Sequence, residues 1–339
     1  MAKILVTGGC GYIGSHTIVD LIENGFDPIS LDNLTNSDEL ALEAIRQITG
    51  KTIPNYKVNL IDRNALNTVF EENPDIEGII HFAALKAVNE SVIHPLLYYS
   101  NNLKGLINLL EAALAYKVHH FIFSSSCSVY GDSDILPVTE TTPLQKAQSP
   151  YAYTKQAGER IITDLATGHT HFKTILLRYF NPAGAHPTAL MGESSKNIAS
   201  NLVPVITETA FGKRKNITVF GTDYDTRDGS CIRDYIHVMD IAHAHTLAMK
   251  HILSHTQATT DTEIFNLGSG NGTTVIEAIK AFEKISGISL NVIFGPRREG
   301  DVVAVYADNQ KARTVLGWIP KYDIDQIMQT AWNWEQKRS

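Results

Sequence analysis

The sequence predicts an α/β protein: a parallel sheet doubly wound by helices on both faces, followed by a smaller mixed α/β lobe. Three observations carry that prediction. Short β-rich runs alternate with helical periods through the first half of the chain. A glycine-rich turn follows the first of those runs at once. Beyond residue 181 the alternation gives way to helical stretches separated by polar loops.

Taken in order, 3–7, 28–31, 52–58, 78–82 and 121–125 read as strands, and the segments near 13–24, 38–49, 63–72 and 95–117 as helices between them. Ser149 and Pro150 are suited to open a further helix to about 167, since serine caps free amides and proline fits a first turn. The run at 171–181 reads as another buried strand. After it come helical stretches at 197–211, 239–253 and 275–286, a strand "ITVFG" near 217–221, and polar loops over 212–231 and 295–301. No internal repeat or linker stands out. The expected division is a first domain over 1–180, rejoined by segments of about 232–266, and a second lobe over most of 181–339.

Composition removes several function classes. A net charge of -7 with no Lys/Arg-rich block argues against a nucleic-acid or anionic-membrane partner. Cys10, Cys127 and Cys231 form no Cys-x-x-Cys pair, so neither a disulfide framework nor a zinc knuckle is indicated. The histidines include His119-His120, His169-x-His171 and His243-x-His245, none in a metal-ligand frame, so no metal site is expected. The N-terminal "MAKILVTGG" reaches glycine too soon for a signal peptide, and no apolar run approaches the ~20 residues of a membrane span. A reducing cytoplasm is the expected location.

Chemistry enters at "VTGGCGYIGSH", where Gly8, Gly11 and Gly14 stand between a strand and a helix. Glycine lets the backbone turn sharply and approach a pyrophosphate, whose charge meets the amides of a helix N-terminus. Asp32 ends the next strand, where a carboxylate can bond both ribose hydroxyls and repel a 2′-phosphate. The pattern is that of a Rossmann-like dinucleotide site selective for NAD. Further along, "FIFSSSCSVYG" ends a strand in hydroxyls, and "SPYAYTK" sets Tyr151 and Lys155 on one helix face. Free tyrosine titrates near 10, so a phenolate base needs a nearby cation, such as an ammonium or an oxidised nicotinamide.

These motifs, with "HFAALKAVNES", "LRYFNPAGAHP", "RDYIHVMD" and "GPRREGD", resemble the extended short-chain dehydrogenase/reductase superfamily. Within it they are similar to the NAD-dependent epimerase/dehydratase family, and most to its UDP-glucose 4-epimerases. The resemblance implies reversible C4 epimerisation of UDP-galactose and UDP-glucose through a transient 4-keto sugar, with NAD retained. It makes Tyr151 the acid–base residue, Lys155 the ribose ligand that lowers the Tyr151 pKa, and Ser126 the partner of the sugar's 4-oxygen. It implies that NAD is held by Gly8, Gly11, Tyr12, Ile13 and Gly14, then by Asp32, Asn33, Asn36, Asn59 and Leu60. Phe82, Ala83, Lys86, Asn101, Ser124, Tyr151, Lys155 and Tyr179 complete that set.

For the UDP-sugar the resemblance implies Lys86, Ser126, Tyr151, Phe180, Asn181, Asn201 and Leu202, with Thr218, Phe220, Arg233, Arg298, Asp301 and Val305. A diphosphate suits arginine forks and a ribose suits a carboxylate, which supports the arginines and Asp301 on chemistry alone. Asn59 stands where relatives commonly carry aspartate for the adenine amine, and its amide oxygen can accept the same bond. Val305 stands where some relatives carry a bulky aromatic, so room for an N-acetyl group on the sugar is a hypothesis here. A homodimer through the segments 95–117 and 150–167 is also implied. Another nucleotide-sugar epimerase, acting on UDP-N-acetylglucosamine or a uronate, and a non-catalytic NAD-sensing module remain alternatives. A dehydratase is disfavoured, because Cys127-Ser128 stands where that chemistry needs an Asp-Glu pair.

Overall fold

Successive side chains of a strand point to opposite faces, so a strand buried on both sides reads as a continuous apolar run. The computed structural model describes residues 1–194, 199–254, 261–298 and 301–338. In it β1 (Lys3–Thr7) sends Ile4 and Val6 into one core and Leu5 into the core on the other side of the sheet. The same division holds in β4 (Ile76–His81), β5 (His120–Ser126) and β6 (Lys173–Tyr179), where Ile80, Ile122 and Ile175 face one way and Ile79, Phe121 and Leu176 the other. With β2 (Asp27–Leu31), β3 (Asn55–Tyr56) and β11 (Thr262–Leu267) they form a seven-stranded sheet in the order β11-β6-β5-β4-β1-β2-β3. Every pairing in it is parallel.

Helices cover both faces. The α1 (Tyr12–Glu23), α2 (Leu40–Thr49) and α9 (Val238–Ser254) helices build one core, while α3 (Arg63–Glu72), α6 (Gly105–Ala115) and α7 (Pro150–Gly168) build the other. The strand order reverses between β1 and β4, and ligands of open α/β sheets bind in the crevice at such a point.

Two elements differ from their sequence reading. The strand expected over 52–58 is only Asn55–Tyr56: it lies at the sheet edge, and Pro54 has no amide to give a ladder. The helix expected over 95–117 is α5 (Pro95–Tyr98), then a π-helical turn Tyr99–Lys104, then α6, with α4 (Val88–Ile93) before it. The widened turn lets Asn102 reach the sheet edge, where its amide accepts from the Leu85 N–H at 2.9 Å and donates to the Leu85 carbonyl at 3.0 Å.

Beyond β6 the strands are short. Here β7 (Asn181–Ala183) pairs with β10 (Tyr235–His237), β8 (Ile217–Phe220) with β13 (Val292–Gly295), and β9 (Ile232–Arg233) lies between β12 (Thr273–Thr274) and β14 (Ala304–Val305). The helices α8 (Leu202–Ala210), α10 (Val275–Ser286) and α12 (Ile324–Arg338) enclose a third core with β8. A helix α11 (Gln310–Leu316) returns to the first core through Ala312 and Leu316. The sequence reading assigned nothing to α11 or α12. Residues 197 and 198 of the expected 197–211 helix, and Glu299 and Gly300 of the 295–301 loop, lie outside the described residues. No described helix is long and apolar enough to cross a membrane.

Candidate active site

The glycine turn is built by crowding. Gly8 adopts φ +71°, and a Cβ there would stand 2.9 Å from the Ala83 nitrogen on the adjoining strand end. A Cβ on Gly14 would stand 2.2 Å from the Gly8 carbonyl oxygen, so only glycine lets α1 start this close to β1. Gly11 caps α1 with no side-chain bond, and the first-turn amides of Tyr12, Ile13 and Gly14 have no helical carbonyl to donate to. The buried Asp32 carboxylate accepts from the Cys10 amide at 3.1 Å, the Leu34 amide at 2.9 Å and the Ser37 hydroxyl at 2.7 Å. Two oxygens offer about four lone-pair sites, so capacity remains for a ribose hydroxyl. These residues fit a dinucleotide.

Other members of the expected NAD set line the same carboxyl edge. Asn33 closes its own turn onto the Thr35 amide, Asn36 is exposed, and Asn59 accepts from the Ile61 amide at 3.1 Å beside buried Leu60. Phe82 packs on His245 with ring centroids 4.6 Å apart, and Asn101 leans on Asn102 from the π-helical turn. Tyr12 donates to the Gly184 carbonyl, just past β7, at 2.6 Å. Lys86 makes an ion pair with Glu193 at 3.2 Å.

The three serines at the end of β5 have separate duties set by the pleat. Ser124 and Ser126 share the parity of Ile122, while Ser125 shares that of Phe123. On the first face the Ser124 hydroxyl bonds that of Tyr179. On the second face the Ser125 hydroxyl donates to Glu159 of α7 at 2.5 Å, and Arg178 of β6, which pairs in register with Ser125, grips the same carboxylate at 2.6 and 2.9 Å.

Ser149 caps α7 by accepting from the Ala152 amide at 3.1 Å, and Pro150 occupies the first turn. This start places Tyr151 and Lys155 over the strand end. The Lys155 ammonium donates to the Ser124 carbonyl at 2.6 Å, lies 4.8 Å from the Phe123 ring centre and 6.0 Å from that of Tyr151. Tyr153 is exposed and faces away. Burial pulls Lys155 down to about 8, against the attraction of Glu159. Burial pushes the Tyr151 phenol above its ordinary value, helped by Tyr179 and opposed by a hydrogen bond from Ser126. Burial thus sets the direction at Tyr151, because a buried phenolate loses its hydration.

Two arginines come from the chain beyond β8. Arg233 donates to the carbonyls of Ile232 and Val302 at 2.8 Å, and Asp301 accepts from Arg298 at 2.7 Å and from Arg233 at 3.4 Å. Arg233, distant in sequence, thus joins Arg298 and Asp301 in one cluster. Val305 pairs in register with Arg233 and packs with Phe180, Val129, Tyr130, Val138 and Ala307, against the partly buried Cys127. Burial pushes the Cys127 thiol up to about 12, which keeps it protonated. Asn181 opens β7, Thr218 and the exposed Phe220 lie on β8, and Asn201 precedes Leu202 at the start of α8. Asp234, next to Arg233, is fully buried and accepts from the amides of Ser269, Gly270 and Ala307. Among the described residues no group of three His, Cys, Asp or Glu side chains is placed to hold a metal.

Sequence reasoning missed Glu159, Arg178 and Glu193. Glu159 follows Lys155 by one further helical turn on the face of Tyr151, a readable signal. Arg178, directly after the buried apolar run Ile175–Leu177, signalled a buried acid without naming it. Glu193, which joins Lys86 to Asn201 by accepting from both, had no local signal.

The family model described as GDP-mannose 4,6 dehydratase matches residues 5–331. The turn after Ser126 nevertheless carries Cys127 and Ser128, with no carboxylate pair. A UDP-glucose 4-epimerase of Bacillus subtilis (strain 168) is 47% identical over 332 residues, which span 98% of this chain and 96% of that protein. A crystal structure of a UDP-glucose 4-epimerase from Bifidobacterium longum, in complex with NAD+ and UDP, superposes with a TM-score of 0.94 at 43% identity, covering 99% of this chain and 98% of that one. Another, from Stenotrophomonas maltophila with bound NAD and formylated UDP-arabinopyranose, gives 0.96 at 40% identity over 100% and 99%. On the glycine turn, the Tyr151–Lys155 pair and this full-length similarity, the chain belongs to the UDP-glucose 4-epimerase family.

Proposed function

We propose that this protein interconverts UDP-galactose and UDP-glucose by inverting C4, with NAD as a retained cofactor. The observation that carries the reading is the placement of Tyr151, Lys155 and Ser126 at the strand edge that also bears the glycine turn. The Tyr151 oxygen takes the proton of the sugar's 4-hydroxyl, and the Ser126 hydroxyl steadies that oxygen and shares the transfer. The Lys155 ammonium favours the Tyr151 phenolate that accepts this proton and meets the nicotinamide ribose. Bound NAD supplies the acceptor and then the donor for the C4 hydride, so the cycle needs no external reductant. Turning of the 4-keto sugar in the site exposes its other face. Gly8 to Gly14 and Asp32 hold the dinucleotide. Arg233 and Arg298 bind the diphosphate, Asp301 the uridine ribose, and Phe220 flanks uracil.

The two lobes divide near residue 180, with 232–266 returning to the NAD-binding part. The protein acts in the cytoplasm as a homodimer. Its dimer face is the apolar surface of α6 and α7, where a cavity of about 330 Å³ is lined by Ile107, Leu110, Leu114, Ile161 and Leu165 with Glu111 and Asp164. Light scattering at twice the mass of one chain supports that assembly, and a monomer refutes it. The deciding experiment for the reaction mixes purified protein with UDP-galactose, without added NAD, and follows UDP-glucose by proton NMR. Conversion supports the reading, and none after NAD is supplied rejects it.

A second reading extends the substrate range to UDP-N-acetylglucosamine and UDP-N-acetylgalactosamine. It rests on Val305, a small side chain beside Phe180 and Cys127. No epimerisation of the N-acetyl sugars at high enzyme rejects it.

A further inference from the structure

Glu159 is buried on the side of the sheet opposite Ser124 and Ser126 and touches no expected substrate or cofactor position. Its carboxylate is nevertheless the meeting point of the three elements that carry the reactive groups. Ser125 binds it from β5, between the two serines of the site, at 2.5 Å. Arg178 binds it from β6, one residue before Tyr179, with two parallel bonds of 2.6 and 2.9 Å. Its own helix, α7, carries Lys155 one turn earlier and Tyr151 two turns earlier. Arg178 is itself held from its far side by the Tyr130 hydroxyl at 3.0 Å, and Tyr130 donates to Asn266 of β11 at 2.6 Å.

We propose that Glu159 is a positioning residue of the acid–base pair: its carboxylate fastens β5, β6 and α7 beneath Tyr151 and keeps Lys155 an ammonium. The charges around Lys155 require such a group. From β4, His81 lies close enough that Lys155 and an imidazolium would repel, and His81 is neutral, tied to the Thr7 hydroxyl at 2.7 Å. From β6, Arg178 adds a second buried cation and Tyr179 a neutral phenol. From β5 only the Ser124 carbonyl and the Phe123 ring face the ammonium. On α7 itself, burial pushes the Tyr151 phenol up and Glu159 is the anion that favours the protonated lysine. The Arg178 fork takes part of that negative charge while fixing its direction.

The inference rests on the epimerase reading, and its test separates the two. Wild-type protein that converts UDP-galactose secures the reading before any variant is compared. Glu159→Gln keeps the shape of the side chain and removes the charge. We expect it to keep NAD, to lose about tenfold or more in kcat at neutral pH, and to shift the alkaline limb of the kcat profile by about one pH unit or more towards acid. Glu159→Asp, which keeps the charge, is expected to restore the limb even where kcat stays low. Ser125→Ala removes one bond and no charge, so it is expected to leave the limb in place. Should Glu159→Gln fail to fold, Arg178→Gln, which frees the Glu159 charge from its fork, is expected to move the limb towards alkali instead. An unshifted limb in a folded, NAD-containing variant overturns the proposal, as does failure of both variants to fold, which would make Glu159 a stability element only.

Discussion

Lys155 meets Ser124 through the backbone: its ammonium donates to the Ser124 carbonyl at 2.6 Å, while the Ser124 side chain is occupied by Tyr179. The lysine is therefore oriented by a strand end that no side-chain substitution at 124 removes. Strand β5 fixes where the cation sits, and α7 fixes where Tyr151 stands relative to it.

Replacing Tyr151 by Phe removes the proton acceptor and leaves the ring. Epimerisation should fall by about 10²–10⁴-fold, the usual scale of a lost acid–base group. Because the glycine turn and Asp32 are untouched, the variant should retain NAD, read as absorbance released on denaturation. Full activity in this variant would remove Tyr151 from the mechanism.

The alkaline side of the pH profile follows from Lys155. Burial places it at about 8, so raising pH through 8 removes its proton. The loss of that cation disfavours the phenolate, and kcat should decline above about pH 8. Stopped assays between pH 6 and 10 would show it, and a flat profile across that range would contradict the assignment.

Gly14→Ala tests the turn. The new methyl would stand 2.2 Å from the Gly8 carbonyl oxygen, which is backbone and cannot swing away. The strain should cost about 1–3 kcal/mol of stability and most of the NAD retained by the wild type. Thermal unfolding and cofactor content measure the two effects, and a variant with normal NAD and Tm would show that α1 can shift without consequence.

Acid should unfold this protein through its histidines. Burial lowers His16, His81 and His237 to about 3 and His245 to about 4, from an ordinary 6.5. Below pH 6.5 the unfolded chain binds protons that the folded chain refuses, so stability falls as pH falls. The loss accumulates between 6.5 and about 3, at up to about 1.4 kcal/mol per pH unit for each histidine. Urea unfolding at pH 7, 6, 5 and 4 checks the slope, and His245→Gln should flatten it if its fold tolerates the amide.

The parallel sheet, its glycine turn and the Tyr151–Lys155 helix were legible because their signals are local. Alternating apolar runs, three glycines between a strand and a helix, and a capped helix start lie within short windows of sequence. The position of Asp32 at the end of β2 was legible for the same reason. The short strands β8, β9, β12 and β14 were less so, since they are two to four residues long and exist only through their partners. In the site, the sequence marked Ser124, Ser125 and Ser126 as a run and could not divide them. The pleat did that, turning Ser125 to Glu159 and Arg178 and its two neighbours to the other face. What the chain determined by itself is which groups exist and which helix or strand each one rides. What the tertiary structure decided is charge pairing, Arg233 and Arg298 on Asp301, Lys86 on Glu193 and Arg178 on Glu159, because a buried or half-buried charge takes its partner from whichever element packing brings within reach.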